Sequence, residues 1–397
     1  MSRRNRLAAS RLDVAVVGGG VVGSACALAL ANLGLEVALV ESREPSRWTP
    51  AQRDLRVYAF APDNAALLDS LGVWNPVRDA RLQPYRRMRV WDAAGGGELA
   101  FDADSLGRRE LGWIVEHGLL VDRLWAALPA AGVQVRCPAR VTELEQHDDG
   151  AKLRLEDGGT LDARLIVAAD GAESSLRTLA GVGIDAHEYA QKGVVAFIAS
   201  EQPHADTAWQ RFLPSGPLAV LPFVDGQSSI VWTLPNADAE RVLALDEDAF
   251  NRELTAAFDA RLGALRLCSP RAAFPLRRQL ADDYVRGRVL LLGDAAHVVH
   301  PLAGQGVNLG LRDVAALRDC VRDAQTQRND YATSQRLARW ARVRKSENAT
   351  AAHAFGTINR VFTDDGMAAT LLRGPILGLA NRLPPLAHAL WRHAAGV

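Results

Sequence analysis

Cysteine is scarce and scattered: Cys26, Cys137, Cys268 and Cys320 form no C-x-x-C pair and no metal-ligand spacing among 397 residues. That usage fits a reduced interior without structural disulfides and excludes the small disulfide-stapled classes. Lysine occurs only at Lys152, Lys192 and Lys345, so the basic charge is almost all arginine, as a coding bias gives rather than a binding patch. An excess of either charge is also lacking, since 46 Lys plus Arg balance 46 Asp plus Glu. No overall field draws in nucleic acid, which leaves no support for a DNA or RNA partner. No run of about 18 residues is apolar and free of turn residues, so no segment reads as a bilayer span. The N-terminal Arg3-Arg4 pair resembles a twin-arginine signal, but Arg11 and Asp13 interrupt the apolar stretch such a signal needs, and the leader reads as a frayed tail. There is no Walker loop, no metal cluster, and no Ser–His–Asp or Cys–His arrangement argued by spacing. Difficult chemistry would therefore rest with a cofactor.

What is present is a set of strand–glycine-loop–helix stretches. In Arg288 to Ala316 (RVLLLGDAAHVVHPLAGQGVNLGLRDVAA) a short apolar run, Val289 to Leu292, suits a buried strand. Gly293-Asp294 closes it, and a loop follows with His297, His300, Pro301, Gly304, Gln305 and Gly306. The spacing of Val307, Leu309, Leu311, Val314 and Leu317 then turns helical. Loop glycines admit a ligand to bare backbone, an Asp beside a Gly suits a sugar or polyol hydroxyl, and N–H groups at the helix start, Gln305 to Asn308, face electron-rich oxygens. His297 and His300 read either as proton handlers or as structural loop residues.

Asp13 to Glu41 (DVAVVGGGVVGSACALALANLGLEVALVE) places Gly18, Gly20 and Gly23 at G-x-G-x-x-G spacing after the strand Val14 to Val17. An apolar helix to about Asn32 stops at Gly34, and a second strand, Val37 to Val40, ends on Glu41. This is the βαβ dinucleotide fingerprint, with glycines for the turn and the pyrophosphate and an acid for the ribose. In Leu165 to Arg177 (LIVAADGAESSLR) another apolar strand ends in Asp170-Gly171.

These stretches, in this order and at these separations, resemble the flavoprotein monooxygenases related to p-hydroxybenzoate hydroxylase. HPLAGQGVNLG, from His300 to Gly310, is similar to the signature of the ubiquinone-biosynthesis hydroxylases within that group. LGWIVEHGLLVDRL, AWQRFLPSGPLAVLPF and Val231-Trp232 agree with it; His117 stands where that family more often has Asn, and Val121 where a Gln is common.

The resemblance implies FAD held by Gly18, Gly20, Gly23, Glu41, Arg56, Asp170, Gly171, Gly293, Asp294, Gly304, Gln305, Gly306, Val307 and Asn308. It assigns the chemistry to no side chain, leaving His300, Pro301 and Gln305 as candidate pocket residues, and no metal. It implies NAD(P)H as electron donor, and O2 that adds at flavin C4a to give a hydroperoxide. The hydroperoxide hydroxylates a polyprenylated phenol or quinol of ubiquinone biosynthesis. Other ubiquinone-biosynthesis proteins are implied as partners, in a cytoplasmic enzyme with peripheral contact on the inner face of the membrane. The alternatives are a hydroxylase of a soluble aromatic, a flavin oxidase or dehydrogenase, and a non-catalytic subunit that keeps the fold.

The implied architecture is α/β with an α+β insertion: a Rossmann-like FAD-binding domain (1–83, 108–180 and 282–344), an interleaved, mostly antiparallel substrate sheet (84–107 and 181–281), and a C-terminal helical region (345–397). The sequence predicts a hairpin of Arg87 to Asp92 with Glu98 to Asp102, a helix from Val121 to Ala131, and a meander of Val133 to Arg136, Ala139 to Glu145, Lys152 to Glu156 and Thr160 to Ala163. Strands at Val194 to Ser200, Ala208 to Leu213, Leu218 to Val224 and Ser228 to Leu234 carry Trp209, Phe212, Phe223 and Trp232, core residues of which one or two face the ligand. Asp246 to Phe258 is helical, and Leu317 to Arg344 is a helical pattern with a solvated arginine face. Met367 to Val397 has no acidic residue, and reads as a packed helical lid or as an amphipathic surface resting on anionic lipid.

Overall fold

Five strands pair in parallel in the order Val289–Leu291, Thr160–Ala168, Leu12–Val17, Val37–Val40 and Gln134–Arg136. The computed structural model describes residues 11–93, 97–299 and 306–363, with backbone alone at 354–356 and 358–363. Val37–Val40 and Val289–Leu291 are buried throughout, as strands covered on both faces must be. The helices Val21–Ala31 and Gly306–Thr326 pack against each other on this sheet. Their approach is close: a Cβ on Gly310 would lie 2.7 Å from the Val22 side chain and 3.2 Å from the Gly293 Cα.

Gln134–Arg136 departs from the predicted meander, pairing in parallel with Val37–Val40 at Ala38 opposite Gln134. The helix before it, His117–Ala127, carries the chain back along the sheet, and a strand returning from a crossover helix runs parallel. Only Val141–Gln146, Ala151–Leu155 and Thr160–Ala168 form the antiparallel meander. That helix also starts a turn earlier than predicted. Asp54 accepts the Gly118 N–H at 2.9 Å and caps it, and Pro129 follows its C-cap Leu128.

A second sheet runs His297–Val298, Ala272–Ala281, Ile184–Ser200, Gln227–Pro235, Gly216–Pro222, Thr207–Leu213, Arg87–Asp92 and Glu98–Asp102. Its pairs are antiparallel except Thr207–Leu213 with Arg87–Asp92. Thus the early hairpin extends its edge. One face packs on the helices Asn236–Ala244 and Glu247–Ala257, with Val194, Leu218, Ile230 and Trp232 against Phe250, Leu254 and Phe258. Trp209 packs there too, while Phe223 joins Phe197 in a small core beside Ile114. A third sheet, Val57–Phe60, Gly112–Glu116 and Gln83–Tyr85, bridges the two larger ones.

The helical pattern over 317–344 divides into Gly306–Thr326 and Ser334–Thr363, with Tyr331 and Ala332 buried between them. Its arginine face is solvated at Arg339 and Arg342, but Arg344 is turned inward and buried. Among the described residues no helix is long and apolar enough to cross a membrane. Residues 364–397, on which the lid and lipid readings fall, and the leader 1–10 lie outside the described residues.

The first glycine turn is set by packing at several positions, since a Cβ on Gly18, where φ is +108°, would already lie 2.3 Å from the Ala169 carbonyl oxygen. A Cβ on Gly23 would lie 1.9 Å from the Gly18 carbonyl oxygen, whereas one on Gly20 meets nothing within 4 Å. Gly23→Ala is therefore expected to destabilise the fold by about 1–3 kcal/mol through overpacking. Its thermal midpoint, measured without added flavin, should fall below those of both the unaltered chain and Gly20→Ala.

Candidate active site

The parallel strands that carry sequence motifs all end at one edge of their sheet. Gly18 follows Leu12–Val17, Glu41 follows Val37–Val40, Asp170 lies just past Thr160–Ala168, and Gly293-Asp294 lies just past Val289–Leu291. Open parallel sheets bind ligands beyond such carboxyl ends. A cavity of about 1350 Å³ lies there, bordered by Gly18, Gly20, Glu41, Arg56, Asp170 and Asp294. It continues past Gly306 and Val307 to Gln210, Ala219 and Val231 on the inner face of the second sheet. A pocket for one small ligand usually measures about 300–1,000 Å³, so this larger space suits a dinucleotide together with a second small molecule.

At the glycine end, Gly20 turns bare backbone to the cavity. It also precedes Val21–Ala31, whose first N–H groups have no side-chain cap and so remain for an anion. The Glu41 carboxylate accepts from the Gly19 N–H at 2.6 Å and from Ser42 Oγ and the Arg43 N–H at 3.0 Å. Those three donors orient it, and of a carboxylate's roughly four acceptor positions one remains for a hydroxyl.

Asp170 is engaged locally, accepting from Ser174 Oγ, from Ser175 Oγ at 3.3 Å and from the Leu176 N–H at 3.0 Å. Gly171 makes the turn with φ +87°. The buried Arg177 donates to the carbonyls of Ala172 and Ala295, both at 3.0 Å, and so ties this motif to the Gly293 loop. From the other side the Gly293 N–H donates to Asp313 at 3.1 Å. The Asp313 carboxylate also lies 2.6 Å from His297 Nε2 and accepts from Arg344 Nε at 2.8 Å and Asn348 Nδ2 at 3.0 Å. Burial by itself raises the Asp313 pKa, but His297, Arg344 and Asn348 outweigh it and the net direction is down. His297 is thereby tied through Nε2 into the buried network that holds the loop. Asp294, half-buried at the cavity wall, has no hydrogen-bond partner among the described residues.

Asn308, in the first turn of its helix, spends its side chain on the segment that leads into the helix Pro62–Ser70. Its amide donates to the Ala59 carbonyl at 2.8 Å and accepts from the Ala61 N–H at 3.0 Å and Asn64 Nδ2 at 2.9 Å. Gly306 and Val307 face the cavity, while His300, Pro301, Gly304 and Gln305 lie outside the described residues.

One polar cluster joins Arg56 and His117, both named from the sequence, to Tyr58 and Asp54, which were not. His117 Nδ1 lies 2.9 Å from the Tyr58 hydroxyl, Arg56 stacks over the Tyr58 ring at 5.5 Å, and Asp54 accepts the Arg56 N–H at 2.9 Å. Burial, helped by Arg56 and opposed by Asp54, pushes His117 down to about 4. Burial likewise raises the Tyr58 hydroxyl, so the pair is neutral at neutral pH. Val121 is simply buried in the core. The second-sheet residues Val195, Gln210 and Thr233 were equally invisible as lining, and Phe274 takes the place at the cavity that the four strand aromatics do not.

Residues 11–345 match the family described as FAD binding domain. The chain belongs to that family. A 3-demethoxyubiquinol 3-hydroxylase of Escherichia coli (strain K12) is 39% identical over 338 residues, covering 85% of this chain and 86% of that protein. The ubiquinone hydroxylase UbiL of Rhodospirillum rubrum is 37% identical over 388 residues, covering 97% and 89%. Among solved structures, p-nitrophenol 4-monooxygenase PnpA from Pseudomonas putida DLL-E4 has a TM-score of 0.77 at 21% identity, covering 97% of this chain and 98% of that one, a likeness of fold. This FAD-binding family member is a flavin-dependent monooxygenase, and its residues fit FAD. Bare backbone at Gly20, an uncapped helix start and the unpartnered Asp294 carboxylate all border one space.

The depressed His117 generates a pH dependence. Between its ordinary 6.5 and about 4, the folded imidazole stays neutral while the unfolded chain takes up a proton. The stability attached to it is present above about 6.5 and is lost as pH falls toward 4. The thermal midpoint of His117→Gln is expected to fall less steeply across that window than that of the unaltered enzyme. Parallel profiles would refute the assignment.

Proposed function

We propose that this enzyme hydroxylates the ring of a polyprenylated phenol or quinol in ubiquinone biosynthesis, with FAD, O2 and NAD(P)H. The observation that carries the reading is one continuous cavity that joins a dinucleotide-type strand edge to an apolar sheet face. Both curated relatives described above act, by name, on ubiquinone or its demethoxy precursor. Bound FAD supplies the electrons that activate O2, so that one oxygen atom replaces a ring hydrogen as hydroxyl and the other leaves as water.

The chain's own residues bind, orient and exclude water. In this proposal Gly18, Gly20 and Gly23 shape the turn that admits the pyrophosphate, and Glu41 takes an adenosine ribose hydroxyl. Arg56 and Asp294 hold the riboflavin side, and Asp170 with Gly171 supports the loop between them. The helix start at Gly306, Val307 and Asn308 directs backbone N–H groups at negative charge on the ring system, and Gly304 and Gln305, outside the described residues, belong to the same cofactor set by resemblance. His300 and Pro301 shape the pocket beside it. Stretches 1–83, 108–180 and 282–344 serve the cofactor, while 84–107 and 181–281 serve the substrate. Val195, Ala219, Leu221 and Val231 wall the ring away from water, which favours hydroxylation over release of peroxide. An oxidase or dehydrogenase does not require such a wall.

Deleting the gene and measuring the mass of the accumulated quinone precursor tests the reading directly. A precursor lacking one ring oxygen is expected, and unchanged ubiquinone would refute it. At the cofactor, Gly20→Val should fold yet purify colourless, because its side chain enters the pyrophosphate space. Asp294→Ala should weaken FAD by about 1–3 kcal/mol and slow turnover, read by flavin titration and by product formation.

A long prenyl tail keeps its substrate in lipid, since each buried CH₂ contributes about 0.8 kcal/mol. The enzyme accordingly works at the inner face of the membrane in peripheral, reversible contact, and other ubiquinone-biosynthesis proteins are its natural neighbours there. Arg373, Arg382 and Arg392 meet anionic head groups, each worth about 1 kcal/mol at low salt. Removing 374–397 is expected to spare FAD binding, reduce flotation with anionic vesicles, and slow the long-tailed substrate more than a tailless phenol. Equal flotation with and without the segment would sink the membrane role, and loss of FAD on truncation would make it a packed lid.

A further inference from the structure

The inner face of the second sheet carries a lateral row. Gln210 stands opposite Ala219, Ala219 opposite Val231, Val231 opposite Val195, and Val195 opposite Ala272. Paired neighbours present their side chains to the same face, and all five border the cavity. The row is therefore a flat aliphatic floor with one amide at its end. Beside it runs Thr233, Gly193 and Phe274. A Cβ on Gly193 would lie 2.9 Å from the Phe274 ring, so the missing side chain lets that ring lie across the strand as an aromatic wall.

Gln210 is 8% exposed, and its amide has no hydrogen-bond partner among the described residues. Its neighbours on the strand point away: Trp209 packs on the helices behind the sheet, and Arg211 donates to the Ala257 carbonyl at 2.9 Å on that side. Gln210 and Thr233 are thus the hydrogen-bonding side chains of these two rows, and both are uncharged. The charged residues that border the cavity, among them Glu41, Arg56, Asp170, Arg277 and Asp294, stand at the strand ends or near the sheet edge. A shielded amide facing an apolar space favours a ligand that satisfies it, and a floor without a cation disfavours a carboxylate.

We propose that Gln210, seconded by Thr233, anchors a ring oxygen of the substrate, and that the lobe selects a neutral oxygenated ring against one that bears a carboxylate. A phenol hydroxyl donates and accepts, and a side-chain amide can meet it either way. The proposal rests on the hydroxylase reading and adds the ring chemistry it requires.

The test is calorimetric titration of the FAD-loaded enzyme with an alkylphenol, the matching alkylbenzene, and the alkylphenol carrying a ring carboxylate. The unaltered enzyme is expected to bind the alkylphenol most tightly. Gln210→Met, close in shape but without the amide, should weaken the alkylphenol by about five- to a hundredfold while leaving the alkylbenzene unchanged. FAD content and thermal midpoint should not move, and Gln210→Leu serves as a second apolar replacement. A variant that keeps the phenol-to-benzene preference, or an enzyme that binds the carboxylated ring as well as the neutral one, overturns the proposal and leaves the hydroxylase reading standing. Failure of the unaltered, FAD-loaded enzyme to bind any ring would bring down that reading and the anchor with it.

Discussion

The site depends on one buried carboxylate. Asp313, on the helix Gly306–Thr326, holds the Gly293 backbone, His297 and, from the helix Ser334–Thr363, Arg344 and Asn348. A carboxylate with no exposed surface is costly in isolation, and removing one partner of such a pair is far more damaging than losing a surface ion pair. Its cohesion therefore acts as a register pin. The loop after Val289–Leu291 cannot shift without stripping Asp313 Oδ2 of the Gly293 N–H and of His297, while Arg344 and Asn348 keep hold of Oδ1. Arg177 restrains the same loop from the Asp170 side through the Ala295 carbonyl. Held from two directions, Asp294 is delivered to the cavity wall, where its carboxylate has no hydrogen-bond partner among the described residues.

The cavity inherits two characters from the two sheets that form it. Its strand-end side is polar and bounded by backbone N–H groups, as suits phosphates and sugar hydroxyls. The opposite side is an aliphatic floor with neutral hydrogen-bonding groups. Between them, His117 and Tyr58 are kept uncharged by burial. Low polarity on the substrate side strengthens every electrostatic contact made there and keeps water out, both of which oxygen transfer to a ring requires.

The second sheet is apolar on both faces, and that bears on what its sequence discloses. Gly216–Pro222 is buried at every position, so it lacks the alternation that would mark an outward face. One face is covered by the helices Asn236–Ala244 and Glu247–Ala257, and the other packs partly against Ala59 and Ile114 of the third sheet and partly borders the cavity. Trp209 and Trp232 went to the helices, while Phe274, on a strand far along the chain, lies across Gly193 beside the ligand space. Residue type alone does not choose between two equally dry faces.

Sequence by itself determined the dinucleotide turn, the strand ends carrying Glu41, Asp170 and Gly293-Asp294, and the helix that follows. Each is a local device in which spacing within about 30 residues dictates backbone conformation and ligand chemistry. It also determined the family, because HPLAGQGVNLG is a contiguous string. Tertiary structure alone decided that Gln134–Arg136 joins the parallel sheet, that Arg344 turns inward to Asp313, and that Asn308 spends its amide on the 59–64 segment. It alone put Gln210, Val231, Val195 and Ala272 in one row. Those outcomes rest on pairing between strands and helices distant in sequence, where register sets which side chains share a face, and no local pattern records a lateral neighbour.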